Sequence, residues 1–458
     1  MATAVAQPLV EPAQPLAEPS AEMLPRGPRL SSLALTLAWS FAPTWVMDQC
    51  ARRLGDTFTI TFWPSGRKLV IVSDPDAVKT VFTAPPEVAP SAAGSSPIAS
   101  IMGPSSVITL TGPEHMRQRK LLLPPFHGER MREYAEVIVQ ATRHSMANWP
   151  LGKPMKLSER TRAITLEVIL RAVFGVEAER MGALREAIAG LLGPSQTIAL
   201  VVYALRRPTN EPPTGTIGRA LDHLDAVIYE EIARRRSQAD LGERNDILSL
   251  LLLARDEDGQ AMTDQELRDE LVTLLLAGHE TTATSVAWAI ERLVRHPSKL
   301  AQLVAEIDAG EGDAYMQAVI SETLRVRPVV PLVVRVLQTP LRVGAHELPV
   351  GTRVVPSIYL TNRNPRVYDA PEEFRPERFL RKSPDTFSWI PFGGGIRRCI
   401  GASFATLEMK LILQTMLSEL SPSLPARGTR LWRNGEWNQR RAITLVPAAG
   451  ARVVWSRR

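Results

Sequence analysis

Alternation over Thr57–Phe62, with Phe58, Ile60 and Phe62 set between threonines, predicts a strand. Pro64-Ser65-Gly66 supplies a turn, Lys68–Ser73 a return strand, and Asp74-Pro75 the start of a short helix. This hairpin opens a small β-rich lobe. Most of the remaining pattern is helical. Residues Met131 to Arg236 read mainly as helix, interrupted by a loop from Arg206 to Gly215 with three prolines, and preceded there by the apolar run Gln196–Leu205. Thr263-Asp-Gln-Glu266 forms a capping box. Behind it one helix runs to about His296-Pro297, on the order of 30 residues, far beyond the usual three or four turns. The residues after Gly401 (Ala-Ser-Phe-Ala-Thr-Leu-Glu-Met-Lys-Leu-Ile-Leu) form an amphipathic helix. Near the end, Ala442–Val446 and Ala451–Val454 read as a hairpin around a Pro-Ala-Ala-Gly turn, with Ile443 at its tip. The fold class expected from this pattern is mainly α with a small β-rich lobe.

With 458 residues, 45% of them hydrophobic, the chain can bury a sizeable core. Chemistry-bearing motifs are spread from residue 115 to residue 443, which favours one domain over 29–458 behind a mobile Ala/Pro-rich tail, 1–28. A net charge of +6, from 54 basic and 48 acidic residues, fits a local basic patch and speaks against nucleic-acid binding. Two cysteines make neither a disulfide framework nor a four-cysteine zinc site. No stretch reaches the roughly 20 apolar residues of a membrane span, and the first residues lack the basic start and apolar core of a signal peptide. A cytoplasmic location is therefore expected. The run Leu33–Phe41 is apolar but short, with Pro43 behind it. It is read as packing against the domain, contact with a membrane surface being the alternative.

One cysteine, Cys399, sits in Trp389-Ile-Pro-Phe-Gly-Gly-Gly-Ile-Arg-Arg-Cys-Ile-Gly401. Glycines let backbone approach a bulky group, and a cysteine at a helix N-terminus beside Arg397 and Arg398 is favoured as thiolate. The pattern Phe392, Gly395, Arg397, Cys399, Gly401 resembles the haem-binding signature of cytochrome P450. The resemblance implies haem b, iron protoporphyrin IX, with Cys399 as its axial metal ligand.

Three further motifs follow the family order over residues 30 to 458. His115 and Arg119 lie four apart on a helix opened by Pro113. In the family such a pair holds a haem propionate, and Arg335 is a second candidate for that role. The centre of the long helix, Ala277-Gly-His-Glu-Thr-Thr282, resembles the family's oxygen-binding helix. Glu280 and Thr281 stand as its acid–Thr pair, and Leu274, Gly278, Thr281 and Ser285 fall on one stripe. Glu322, Arg325 and Arg378 correspond to the family's structural Glu–Arg–Arg triad. Leu274, Ala277, Gly278, Val330, Leu332 and Ile443 are the expected substrate-pocket residues; His279 is left without a role. The link from Asp308 to Ala314 is shorter than in many members, and the soluble bacterial type fits best.

The resemblance implies a haem-thiolate monooxygenase that inserts one oxygen atom from O2 into a lipophilic small molecule, fatty acyl, terpenoid or similar. A ferredoxin-type donor with its reductase would supply electrons, docking on basic residues Arg117, Lys120, Arg130, Arg398 and Lys410. A haem-thiolate enzyme that uses peroxide or rearranges its substrate is the alternative, and the Glu280–Thr281 pair argues against it. A haem sensor or carrier is the third class.

Overall fold

The computed structural model describes residues 18–95, 99–126, 128, 130–175, 178–192, 213–381, 384–425 and 435–458. Its organising element is the helix Asp264–Arg295, 32 residues long. The capping box forms as expected: the Thr263 hydroxyl accepts from Glu266 N at 3.2 Å, and the Glu266 carboxylate accepts from Thr263 N at 2.7 Å. Acidic residues fill its first turn and Arg292 and Arg295 its last, matching the helix dipole. Helix Leu157–Phe174 packs along this central helix. At Gly278 a Cβ would stand 3.0 Å from Ile169 Cδ1, so glycine sets how closely the two helices approach. Helix Ala402–Glu419, which follows the Cys399 loop, packs against the central helix and against Arg130–Met146.

The β lobe is built on β1 (Thr57–Thr61) and β2 (Lys68–Val72), paired antiparallel with Thr59 opposite Val70. Further along the chain come β3 (Pro154–Lys156), β4 (Arg335–Val336), β5 (Leu341–Val343), β6 (His346–Leu348) and β7 (Arg353–Pro356). The first sheet has the order β1-β2-β7-β4, with β2 and β7 parallel. Period-2 geometry sorts its side chains between two cores. Val70 and Val72 join one cluster with Val78 and Phe82, while Phe58, Ile60 and Ile71 join another with Leu35, Trp39 and Met47.

Residues 18–28, expected to close a mobile tail, lie along this sheet. Leu24 is buried, Thr59 donates through its hydroxyl to the Pro25 carbonyl at 2.6 Å, and Glu18 pairs with Arg353. The earlier part of that tail, up to residue 17, lies outside the described residues. So do the apolar run 196–205 and the loop that follows it up to residue 212.

The C-terminal hairpin differs from the expected one. β8 (Leu420–Ser423), β9 (Asn438–Arg441), β10 (Thr444–Pro447) and β11 (Arg452–Arg457) belong to two sheets. β10 pairs with β9, and β11 sits between β3 and β8. The buried Glu436 carboxylate accepts from the backbone N–H groups of Ala449, Ala451 and Arg452, at 2.7, 3.2 and 3.1 Å. It consumes the donors that a β10–β11 ladder would have used. Ile443 lies in the β9–β10 turn instead and is exposed.

Residues 103–110 form a loop tied to the central helix. Ser105 N donates to Asp269 at 2.8 Å and Val107 N to Glu270 at 2.7 Å. The Ser106 and Thr273 hydroxyls meet at 2.6 Å. Burial pushes both carboxyls, Asp269 and Glu270, above their ordinary values, and these N–H bonds pull them back.

Candidate active site around Cys399

The cysteine loop holds its shape through backbone contacts. Cys399 N donates to the Phe392 carbonyl at 2.9 Å, and the Phe392 ring lies edge-on to Trp389. Gly395 has φ +65°, and a Cβ there would run into the Phe82 carbonyl oxygen. Only glycine meets both demands. Gly401 is the N-cap residue of the helix that follows. The Cys399 thiol is solvent-accessible yet densely surrounded by protein. Burial pushes its pKa up; the Gly401 N–H, Arg398 and Arg119 pull it back. The helix terminus and the arginines therefore oppose burial without overcoming it, and the free thiol is less acidic than its position in the sequence implies.

His115, Arg335 and Arg397 line one cleft together with Phe82 and Ile396. His115 is buried and its Nδ1 has no hydrogen-bond partner. Burial, then Arg397, Arg119 and Arg335, push its pKa down to about 4, leaving the ring neutral. Arg335 and Arg397 have no carboxylate partner among the described residues, and both are pushed down to about 10, chiefly by burial. Arg397 is held by carbonyls instead: Val107 at 3.0 Å, Ile108 at 3.3 Å, and Leu110. Buried cations without a counter-charge are costly. Donors with this geometry fit an anionic group such as the two carboxylates of haem. Arg119, expected beside His115 in that role, donates to the Arg398 carbonyl at 2.8 Å and does not line the cleft.

On the central helix, the Thr281 hydroxyl donates back to the Ala277 carbonyl at 2.6 Å, and Ser285 to the Thr281 carbonyl at 2.9 Å. Such back-bonding bends a helix and lets a groove open. Ala277 is exposed although this stretch of the helix is otherwise covered. Gly278, expected in the same pocket wall, points to Ile169, one step of about 100° round the helix. Leu274 is half-buried against the main core. His279 turns the same way as Gly278 and meets the Thr165 hydroxyl at 3.0 Å; burial pushes it down to about 4, so it stays neutral.

Glu280 faces two arginines, Arg441 at 3.4 Å and Arg162 at 3.9 Å. Burial raises its pKa; the two guanidinium groups oppose that. Neither arginine carried a signal in the sequence, since each is more than 100 residues away with no motif around it. Glu408, on the helix after Cys399, was missed for the same reason. It is wholly buried and pushed up to about 8, against a hydrogen bond from Thr282.

Glu322 lies in contact with both Arg325 and Arg378. Glu322 and Arg325 are fully buried and doubly bonded, at 2.7 and 2.9 Å, and Arg378 reaches Glu322 at 3.2 Å. Val330 is half-buried beside the Phe82 cluster, and Leu332 beside the Trp39 cluster. The basic docking patch is largely neutralised within the chain. Arg117 pairs with Asp256 and Glu266, Lys120 with Glu257, and Lys410 with Asp313. Arg398 is exposed and unpaired among the described residues; the Arg130 side chain lies outside them.

The cytochrome P450 family model matches residues 25–439. The protein named cytochrome P450 137 of Mycobacterium tuberculosis is 42% identical over 434 residues, covering 94% of this chain and 89% of its own. That named cytochrome P450 135B1 of Mycobacterium bovis is 40% identical over 438 residues, covering 94% and 91%. Among solved structures, retinoic acid-bound cyanobacterial CYP120A1 superposes with a TM-score of 0.79 at 24% identity, over 95% of this chain and 99% of that one. The haem domain of cytochrome P450DA gives 0.80 at 24% identity, over 95% and 96%. At that identity the two structures speak for the fold. By sequence and by architecture the chain belongs to the cytochrome P450 family, whose members carry haem on a cysteine thiolate and act as monooxygenases.

Proposed function

We propose that this enzyme inserts one atom of dioxygen into a lipophilic small molecule of fatty acyl or terpenoid type, with Cys399 as the axial ligand of haem b. The observation that supports the haem part of this reading is the cleft of His115, Arg335 and Arg397, which has no anion of its own among the described residues; Arg397 stands two residues before Cys399. Those three side chains would hold the propionates, and Arg119 would brace the cysteine loop through the Arg398 carbonyl. When bound, the haem supplies oxygen activation, favoured by electron donation from the thiolate. The protein's part is binding, orientation and proton handling. Ala277, Val330, Leu332 and Ile443 would orient the substrate through apolar contact. Thr281 holds a proton at its hydroxyl, and Glu280, poised between burial and two arginines, relays protons from the side of Arg162 and Arg441.

Thr281→Ala tests this division of labour. Haem and substrate binding are expected to survive, while product formed per reductant consumed falls several-fold. Equal coupling in mutant and parent would reject the proton role.

The electron donor is proposed to be a ferredoxin-type protein with its reductase, and the same reading places the enzyme in the cytoplasm. Because Arg117, Lys120 and Lys410 are spent on internal pairs, Arg398 is the patch residue, among those whose side chains are described, left to carry docking charge. Acidic carriers meet such a site faster at low salt. Reduction by a ferredoxin is expected to slow as ionic strength rises, and Arg398→Glu to remove most of that dependence. A salt-independent rate in the parent enzyme would sink the model.

A further inference from the structure

The helix Ser32–Phe41 has no charged residue and is apolar on two opposite faces. One face is sealed: Leu35 and Trp39 are buried with Val46, Met47, Phe58 and Ile60, and Trp39 meets Phe62 edge-on at 5.6 Å. The other is open. Leu33, Leu37 and Phe41, each four residues from the next, are 46%, 53% and 81% exposed. A helix with two opposite apolar faces calls for a partner on each, and the domain supplies one of them.

Other large apolar side chains near the helix are exposed as well: Leu30 just before it, Trp45 on the next helix (55%) and Trp63 at the β1–β2 turn (54%). Trp63 is held beside the helix, its backbone N–H donating to the Thr36 hydroxyl at 2.9 Å. The helix hydroxyls are turned inward: Thr36 donates to the Ser32 carbonyl and Ser40 to the Thr36 carbonyl, each at 2.7 Å. The face thus offers little for the hydrogen bonds that a protein interface averages about once per 100–200 Å².

The charges next to it in sequence are mainly of one sign. Residues 24–47 contain Arg26 and Arg29 and no carboxylate, and residues 57–73 contain Arg67 and Lys68 and none. Arg26, Arg29 and Arg67 are exposed, with no ion-pair partner among the described residues. The flanking acids Asp48 and Asp56 are engaged, with the Tyr359 hydroxyl at 3.0 Å and with Arg366. Glu22 remains as an exposed carboxylate at the margin.

We propose that this face rests on an anionic lipid bilayer. Leu33, Leu37 and Phe41 enter the acyl boundary, Trp45 and Trp63 sit at headgroup level, and Arg26, Arg29 and Arg67 meet lipid phosphates. Indoles favour that depth because one end is apolar and the other polar. Ten residues are half the length of a span, so the contact is peripheral.

The test uses the haem-loaded full chain and phosphatidylcholine vesicles with or without phosphatidylglycerol. The protein is expected to float with the anionic vesicles and much less with the neutral ones, with a blue shift of tryptophan emission. Combined Leu33→Glu, Leu37→Glu and Phe41→Glu should cut flotation at least about tenfold, with melting temperature and haem content kept, since those side chains are exposed. Combined Arg26→Glu, Arg29→Glu and Arg67→Glu should remove the preference for anionic lipid. Protein that stays at the bottom of the gradient with anionic vesicles, or a Leu/Phe variant that floats as well as the parent, would overturn the proposal. So would a parent that light scattering shows to be a dimer and that Phe41→Glu makes monomeric, since the face would then join two copies of the chain.

Discussion

A Cys399→His variant is expected to lose the long-wavelength Soret band that the family's reduced carbon-monoxide complex shows, and its turnover should fall to background. The loop fixes the cysteine through its own N–H to Phe392 and through the glycine pressed on Phe82. Histidine offers a neutral nitrogen in place of the thiolate and withdraws the electron donation on which oxygen cleavage relies. The chain's other cysteine, Cys50, is buried on helix Pro43–Leu54 among Trp39, Val46 and Met47, with its thiol pushed up by burial. An unchanged band in the Cys399 variant would move the ligand to Cys50, and the double variant would then lose it.

Glu322→Ala is expected to give little or no folded, haem-loaded protein. Arg325 is fully buried and donates two bonds to that carboxylate; its remaining donors go to the carbonyls of Asn362, Pro371 and Glu373. Removing the acid leaves a buried guanidinium without a counter-charge, at about 3–5 kcal/mol, out of a total stability of about 5–15 kcal/mol for a typical native protein. Arg378→Ala should cost less, because Arg378 is partly exposed and holds Glu322 by one bond of 3.2 Å. Melting temperature and haem-to-protein ratio check both. A Glu322→Ala protein with the parent's values would show that the network does not stabilise the fold.

The long helix, the first hairpin and the Glu322–Arg325 pair were legible because each is written locally, whereas Arg378, 56 residues from Glu322, was named only through the family resemblance. A capping box, a period-2 run and a Glu-x-x-Arg pair all show within a few residues. Pairings made across the chain were not. The partners of Glu280 come from residues 162 and 441, and the strand partner of β10 was displaced by a carboxylate whose N–H contacts lie 13 to 16 residues on. Gly278 was misplaced for a related reason. Helical spacing says which residues share a stripe, and the neighbour each stripe meets is decided by tertiary packing. Arg119 likewise sits on the right helix but is drawn to a backbone carbonyl. The surface charges show the same limit: Arg117, Lys120 and Lys410 look free until their acids, 97 to 149 residues away, are in place.

The loop 103–110 binds two distant stretches of sequence into one unit of inheritance. Asp269 and Glu270 on one side need the N–H groups of Ser105 and Val107; Arg397 on the other needs the carbonyls of Val107, Ile108 and Leu110. Gly103 belongs to the same unit, since any side chain there would collide with Asp269. A chimera that takes this loop from a relative without its carboxylates and its arginine would strand two buried acids at one end and a buried cation at the other. Exchanging this loop between relatives therefore works only when residues 103–110, 269–273 and 397 travel together.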